Sequence, residues 1–162
     1  MLDVFITNVL SVNKIHNIIS EELNALLKEF SIKVSDESEK KYQNLINFIG
    51  ESPEYLNYLH TTDSEENAKS ICKNGLRYEI FYKTVDNINS VVALIYMLNI
   101  RKPYGNFTIV IQIDSSIKDY ESISEKTTND DGDEIYIFPP RYIKGYYDRI
   151  TNGIFTNPLF QK

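Results

Sequence analysis

His60 is a residue whose type and position suggest chemistry. It is one of two histidines in the 162-residue chain, and it ends the short, largely apolar run "EYLNYLH". The polar residues Thr61 and Thr62 follow it directly. A histidine at the end of a strand can hydrogen-bond a ligand without changing its charge, or it can be a satisfied core side chain. The residues around it leave both interpretations open.

The segment after His60 has the pattern of a short helix. Ser64 followed three residues later by Asn67 is a capping pattern. Apolar residues follow at helical spacing, and Asn74-Gly75 is a typical helix terminator. We therefore predict a strand that ends near His60 and a helix that begins just after it.

Metal chemistry is not indicated by the sequence. Cys72 is the single cysteine, which excludes an internal disulfide and cysteine-based zinc or iron–sulfur sites. The acidic run "NDDGDE" lacks the spaced ligands of a calcium-binding loop. We expect a solvated loop there and no metal cofactor.

The composition is that of an ordinary globular protein, with 42% hydrophobic and 25% charged residues. The net charge of −6 argues against a nucleic-acid partner. The longest apolar run, "VVALIYML", is too short to span a bilayer, and the first residues lack the pattern of a signal peptide. We therefore expect a cytoplasmic protein. Its twelve tyrosines are expected to line a half-exposed surface or a cleft.

The first 52 residues read as a helical region. Apolar residues recur at helical spacing between residues 13 and 30. A second helix is predicted in "SEKKYQNLINFIG", where Gly50 is the expected C-terminal cap.

Residues 53–162 are expected to form one compact α+β unit with a small, mainly antiparallel sheet and flanking helices. The most strand-like segment is the β-branched run "FTIVIQID". "EIFYKT" is predicted as a short strand, "NINSVVALIYMLNI" as a buried helix, and residues 116–133 as a loop. "EIYIF" is a strand that must stop at Pro139-Pro140.

Three segments, taken in order, resemble the conserved motifs of the ADP-ribosyltransferase superfamily, in the branch of the poly(ADP-ribose) polymerases and diphtheria-type toxins. The first is a strand ending in His, a small residue, a Ser or Thr, and a helix ending in Gly-Leu-Arg. The second is an aromatic strand followed by a helix that carries a tyrosine. The third is a strand that opens with a glutamate. The matching residues are His60, Thr61, Thr62, Ala68, Ile71, Gly75, Leu76 and Arg77; Phe81, Tyr82, Thr84, Ala93 and Tyr96; and Glu134.

The resemblance implies a split-sheet fold and a mono-ADP-ribosyltransferase that uses NAD as its substrate. In that interpretation His60 is a catalytic residue that binds and orients NAD, Thr62 also binds NAD, and the backbone of Thr61 holds the nicotinamide amide. Tyr96 stacks on the nicotinamide, and Tyr82 (or Phe81) forms the second aromatic wall.

Glu134 is the catalytic carboxylate that the resemblance implies. It would stabilise the oxocarbenium-like sugar that forms when the nicotinamide–ribose bond breaks. The acceptor is expected to be a protein, and a bacterial or phage toxin or anti-defence effector would fit this activity. Gly132 lies where arginine-directed transferases carry a second acid, so arginine is not the favoured target.

Two other interpretations remain. The polymerase branch usually has glycine where this chain has Thr61, which suggests an inactive, NAD-binding or inhibitory module. A relative of the RNA 2′-phosphotransferases would need several convergent basic side chains, for which Arg77, Arg101, Arg141 and Arg149 are the candidates. Structural roles are also open, because Tyr96 could pack in a core and Glu134 could be a solvated loop-end residue.

Overall fold

A computed structural model describes residues 39–162. Helices and antiparallel sheets are mixed along the chain, so the predicted α+β class is confirmed. The elements are α1 (Gln43–Ile49), β1 (Tyr55–Thr62), α2 (Glu65–Asn74), β2 (Leu76–Tyr78), α3 (Phe81–Thr84), β3 (Asp86–Ile88), α4 (Val91–Arg101), β4 (Phe107–Asp114), β5 (Glu125–Thr128), β6 (Glu134–Phe138), β7 (Ile143–Asp148) and β8 (Gly153–Thr156). The helix predicted between residues 13 and 30 lies outside the described residues.

A five-stranded sheet with the order β3-β1-β4-β7-β8 forms the centre of the molecule. β1 and β4 pair along their full lengths, with Tyr58 opposite Ile111 and His60 opposite Ile109. Because alternate side chains of a strand face opposite sides of a sheet, these four residues share one face. Leu59 lies on the other face.

That other face is covered by α1 and α4. Their buried residues pack with Leu59 and Val110 in one apolar cluster. α1 ends as predicted at Gly50, whose positive φ of 69° suits a residue without a Cβ. Burial of this shared core ties α1 to the rest of the protein.

The face that carries Tyr58 and His60 packs against α2 and a second, three-stranded sheet of order β2-β6-β5. Leu76, Tyr78 and Phe138 bring the inner side of the small sheet into this core. Several rings from both sheets meet around Phe81 of α3, including Tyr58, Tyr78, Tyr120 and Phe138.

Two local predictions are wrong. The segment 81–84 is a helical turn and not a strand; this turn buries Phe81 and leaves Tyr82 exposed. The predicted loop 116–133 contains β5, which pairs with β6 over four residues. Its sequence "EKTT" carries little apolar signal, so cross-strand pairing decides its structure. No helix within residues 39–162 is long and apolar enough to cross a membrane.

Candidate functional site

His60 is held in one tautomer by a backbone carbonyl. Its Nδ1 atom lies 2.8 Å from the carbonyl oxygen of Thr84. Since a carbonyl oxygen only accepts, Nδ1 must donate, and Nε2 of the neutral ring is left as an acceptor. Burial lowers the pKa of His60, against smaller opposing effects of the Thr84 carbonyl and of Asp86. The ring is therefore a neutral hydrogen-bond acceptor near pH 7.

His60 lines a polar cavity of about 420 Å³ between β1 and α2. Three polar side chains of α2 line it at helical spacing, namely Asn67, Ser70 and Asn74. Thr62, which shares the face of His60 on β1, also lines it. The cavity thus offers several neutral hydrogen-bonding groups beside the acceptor of His60.

A second cavity of about 520 Å³ shares Arg77 with the first. Arg77 is opposite Ile137 in the β2–β6 register, so its side chain lies on the side of the small sheet away from the aromatic core. Lys83 and Thr84 of α3 and Asn129 also line this cavity. Arg77 and Lys83 give this surface, which we call the Arg77 groove, two cationic side chains, and Glu79 gives it one carboxylate.

An ion pair lies close to His60. Arg101 donates from Nε and Nη2 to the two carboxylate oxygens of Asp86, at 2.9 and 2.8 Å. Asp86 is opposite Leu59, the residue before His60, in the β1–β3 register. The pair joins β3 to the end of α4 and places two opposing charges near the imidazole.

Thr61 and Thr62 lie on opposite faces of β1. Thr62 is buried on the His60 face, whereas Thr61 faces the side covered by the helices. β3 pairs only with residues 57–59 of β1. In the described part of the chain, residues 60–62 are therefore paired on one side only, with β4.

The two tyrosines predicted to hold nicotinamide lie far apart in the fold. Tyr82 is 67% exposed, and its ring edge contacts Phe81, Tyr58 and Tyr120. Tyr96 is 62% exposed on α4, which packs on the face of the large sheet opposite His60. Neither tyrosine lines the His60 cavity. The structure therefore brings Tyr82 near the aromatic core and does not bring Tyr96 to His60.

Glu134 opens β6 as predicted, and its carboxylate has two partners. Tyr136 donates to it at 2.6 Å, and Lys126 pairs with it at 2.5 Å. Both contacts lower the pKa of Glu134, and the contact with Lys126 has the larger effect. The carboxylate is therefore ionised at neutral pH.

Glu134 and His60 do not line the same cavity. Tyr136, which donates to Glu134, stacks on Tyr78 at 5.4 Å between ring centroids. Tyr78 in turn contacts Phe81 in the helix that also carries Thr84. The carboxylate and the imidazole are thus linked through the aromatic core.

Several features of the site were not identified from the sequence. Thr84 matches the second motif, but its contact with His60 joins residues 24 positions apart and leaves no local pattern. Lys83 lies in the segment that was predicted as a strand, and its place in the Arg77 groove depends on the helical turn found there. The row of Asn67, Ser70 and Asn74 does have a signal, because polar residues spaced three and four apart mark one face of a helix.

Comparison with protein-family models, with curated proteins and with solved structures finds no match to this chain. No group of three or more His, Cys, Asp or Glu side chains within residues 39–162 is arranged to hold a metal ion.

Proposed function

We propose that the protein binds NAD in the Arg77 groove and the His60 cavity and transfers ADP-ribose to a protein target. The observation that carries this proposal is the fixed tautomer of His60 beside a cavity that shares Arg77 with the Arg77 groove, where two basic side chains outnumber one glutamate. A neutral acceptor suits a ribose hydroxyl, and an arginine with a nearby lysine suits a diphosphate. A dinucleotide carries both groups in one molecule.

The chemistry would proceed as a glycosyl transfer. The bond between the ribose anomeric carbon and the nicotinamide nitrogen breaks, and its electron pair leaves with nicotinamide. The sugar gains oxocarbenium character, which the ionised Glu134 stabilises. A nucleophile on the target then bonds to the anomeric carbon and loses its proton.

Glu134 must reach the ribose for this step. Its side chain shares the inner face of the small sheet with Tyr136, whereas Arg77 lies on the outer face, so the nicotinamide half must extend around the end of β6. The contacts of Glu134 with Tyr136 and Lys126 are at an exposed strand end, where side chains reorient on a timescale of nanoseconds. The His60 cavity would take the adenosine half and leave the nicotinamide half to extend toward β6. Tyr82, exposed on α3, supplies a ring that the nicotinamide can contact.

The test compares NAD cleavage and transfer by the wild type and by variants. Labelled NAD is incubated with the protein and a bacterial lysate, and both labelled protein and free nicotinamide are measured. We expect Glu134→Gln to lower the rate at least about a hundredfold, as loss of a group that stabilises transition-state charge does. Glu125→Gln on the neighbouring strand is the matched control and should leave the rate unchanged. Wild-type protein that neither cleaves NAD nor transfers ADP-ribose would refute the proposed enzymatic activity.

A second candidate function is an NAD-binding module without turnover. It is favoured because the Glu134 carboxylate already has a partner in the structure. The carboxylate is paired with Lys126, and it does not line the His60 cavity. Both functions predict NAD binding in calorimetry that His60→Gln weakens, and only the first predicts turnover. The two are therefore separated by measuring nicotinamide release from NAD alongside calorimetric binding.

The RNA 2′-phosphotransferase alternative is disfavoured by the arginines. Arg101 is engaged by Asp86, and Arg149 donates to the carbonyl of Leu98. Neither of them lines the cavities that carry Arg77. A basic cluster that could hold an RNA phosphate would need these side chains to converge.

A further inference from the structure

A cavity of about 650 Å³ lies on the helix side of the large sheet, at the junction of α1, β1, β3 and the start of α4. It is larger than the His60 cavity and the Arg77 groove, and its size suits a small molecule. Asn57 and Tyr55 line it from β1. Both lie on the strand face opposite to His60, so this cavity is separate from the site of the proposed function.

The amide of Asn57 is oriented by its neighbours. Gln112 is only 7% exposed, and its Nε2 lies 2.6 Å from the carbonyl oxygen of Ile49 and 2.8 Å from Oδ1 of Asn57. The carbonyl oxygen only accepts, so the Gln112 atom is the amide nitrogen. The atom that Asn57 presents to Gln112 is therefore its oxygen.

This orientation leaves the NH₂ group of Asn57 free to donate. It makes no hydrogen bond to another residue in the described part of the chain. A donor that lines a cavity on a fixed side chain is suited to an acceptor on the edge of a bound molecule.

Tyr55 lies two residues before Asn57 on the same face of β1, and its ring forms an aromatic wall of the cavity. Among residues 39–162 its ring pairs with no other aromatic ring and its hydroxyl forms no hydrogen bond. Apolar side chains complete the lining, namely Ile46, Ile49, Ile88 and Leu94. An aromatic ring with aliphatic walls and an amide donor is the environment in which proteins hold a flat, acceptor-bearing heterocycle.

The charges around the cavity argue against phosphate. None of its described lining residues is Lys or Arg, and Glu51 lines it as an anion. A phosphate group would be repelled by Glu51. Lys144 lies close by, but it does not line the cavity, and its Nζ donates to the carbonyl of Ile49 at 3.3 Å. The hydroxyls of a ribose can instead donate to Glu51, and Asn47, Ser52 and Asn89 add further polar groups.

From these contacts we infer that the cavity is a binding site for an uncharged purine nucleoside. The base lies against Tyr55 and accepts a hydrogen bond from Asn57, and the sugar lies toward Glu51. This site is independent of NAD chemistry and would remain if the proposed transferase activity were absent.

Calorimetry with adenosine on the full chain tests the site. We expect Asn57→Asp to weaken adenosine binding about tenfold or more, since the aspartate keeps the bond from Gln112 and loses the free donor. Tyr55→Leu should weaken binding about fivefold or more through lost stacking, and Tyr55→Phe should change it less than about twofold. AMP should bind more weakly than adenosine at this site.

The His60 cavity is a competing place for adenosine, and variants distinguish the two. Adenosine binding that His60→Gln or Arg77→Ala removes, and that Asn57→Asp leaves intact, would overturn the inference. So would wild-type protein that binds neither adenosine nor inosine at millimolar concentration. AMP binding as tight as that of adenosine in an Arg77→Ala background would contradict an uncharged ligand.

Discussion

The imidazole of His60 in β1 and the carbonyl of Thr84 in α3 meet at 2.8 Å, and this contact joins the large sheet to the helical turn that fills the aromatic core. It requires a proton on Nδ1 and leaves Nε2 bare in the neutral ring. Any ligand bound through Nε2 as an acceptor is bound only while His60 is neutral.

The first prediction concerns pH. Because burial lowers the pKa of His60 in the fold, the unfolded chain binds the proton more readily. The associated stability is complete above the ordinary histidine pKa of about 6.5 and is lost as the pH falls toward the lowered folded value. Urea unfolding of the wild type should show a greater loss of stability below about pH 6 than His60→Gln. Parallel pH profiles for the two proteins would contradict this.

The second prediction concerns the ion pair near His60. The Asp86 charge raises the pKa of His60 and the Arg101 charge lowers it. Arg101→Gln leaves the Asp86 charge unopposed, so the pKa of His60 should rise. An NMR titration of the His60 ring protons measures this directly. Lys102→Gln is the control. It also removes one positive charge, one position further along the chain, but it leaves the Arg101–Asp86 ion pair intact and should leave the His60 titration nearly unchanged.

The third prediction compares two glycines that both have a positive φ. Gly75 has a φ of 98°, and a Cβ there would collide with the carbonyl of Phe138. Gly132 has a φ of 86°, with nothing within 4 Å of the Cβ position. Gly132→Ala should cost about 1 kcal/mol of unfolding free energy from backbone strain alone. Gly75→Ala should cost clearly more, because the collision adds to the strain. Equal losses in chemical denaturation would show that the collision relaxes freely.

The fourth prediction concerns Cys72, which is 2% exposed on the buried face of α2. Burial raises the pKa of its thiol to about 11. The native protein should therefore react slowly with a thiol reagent at pH 8, and the unfolded protein rapidly. A fast native reaction would mean that α2 opens readily from the sheet.

The sequence was sufficient where local signals and burial agree. Phe107–Asp114 is β-branched and apolar, and it forms the central strand β4 with six of its eight residues buried. The cap at Ser64 accepts a hydrogen bond from the backbone N–H of Asn67, as its spacing predicts. Such features depend on neighbours in the chain, which periodicity and capping chemistry describe.

The sequence was insufficient where tertiary contacts determine the local structure. Phe81–Thr84 has an aromatic, strand-like composition, but the packing of Phe81 among rings of both sheets favours a helical turn. The same limit applies to the site. His60 stands out from its position in the sequence, whereas its hydrogen bond with the carbonyl of Thr84 is recognisable only in the folded chain.

β1 extends three residues beyond its partner β3, and this step in the edge of the sheet has a consequence for solubility. A long unpaired edge invites strands of other chains to add and starts aggregation. An edge of three residues, beside the His60 cavity, is too short to hold a foreign strand in register. It is long enough for a single carboxamide to pair with the backbone. Within residues 39–162, the edge next to the candidate site is therefore open without being a template for fibre growth.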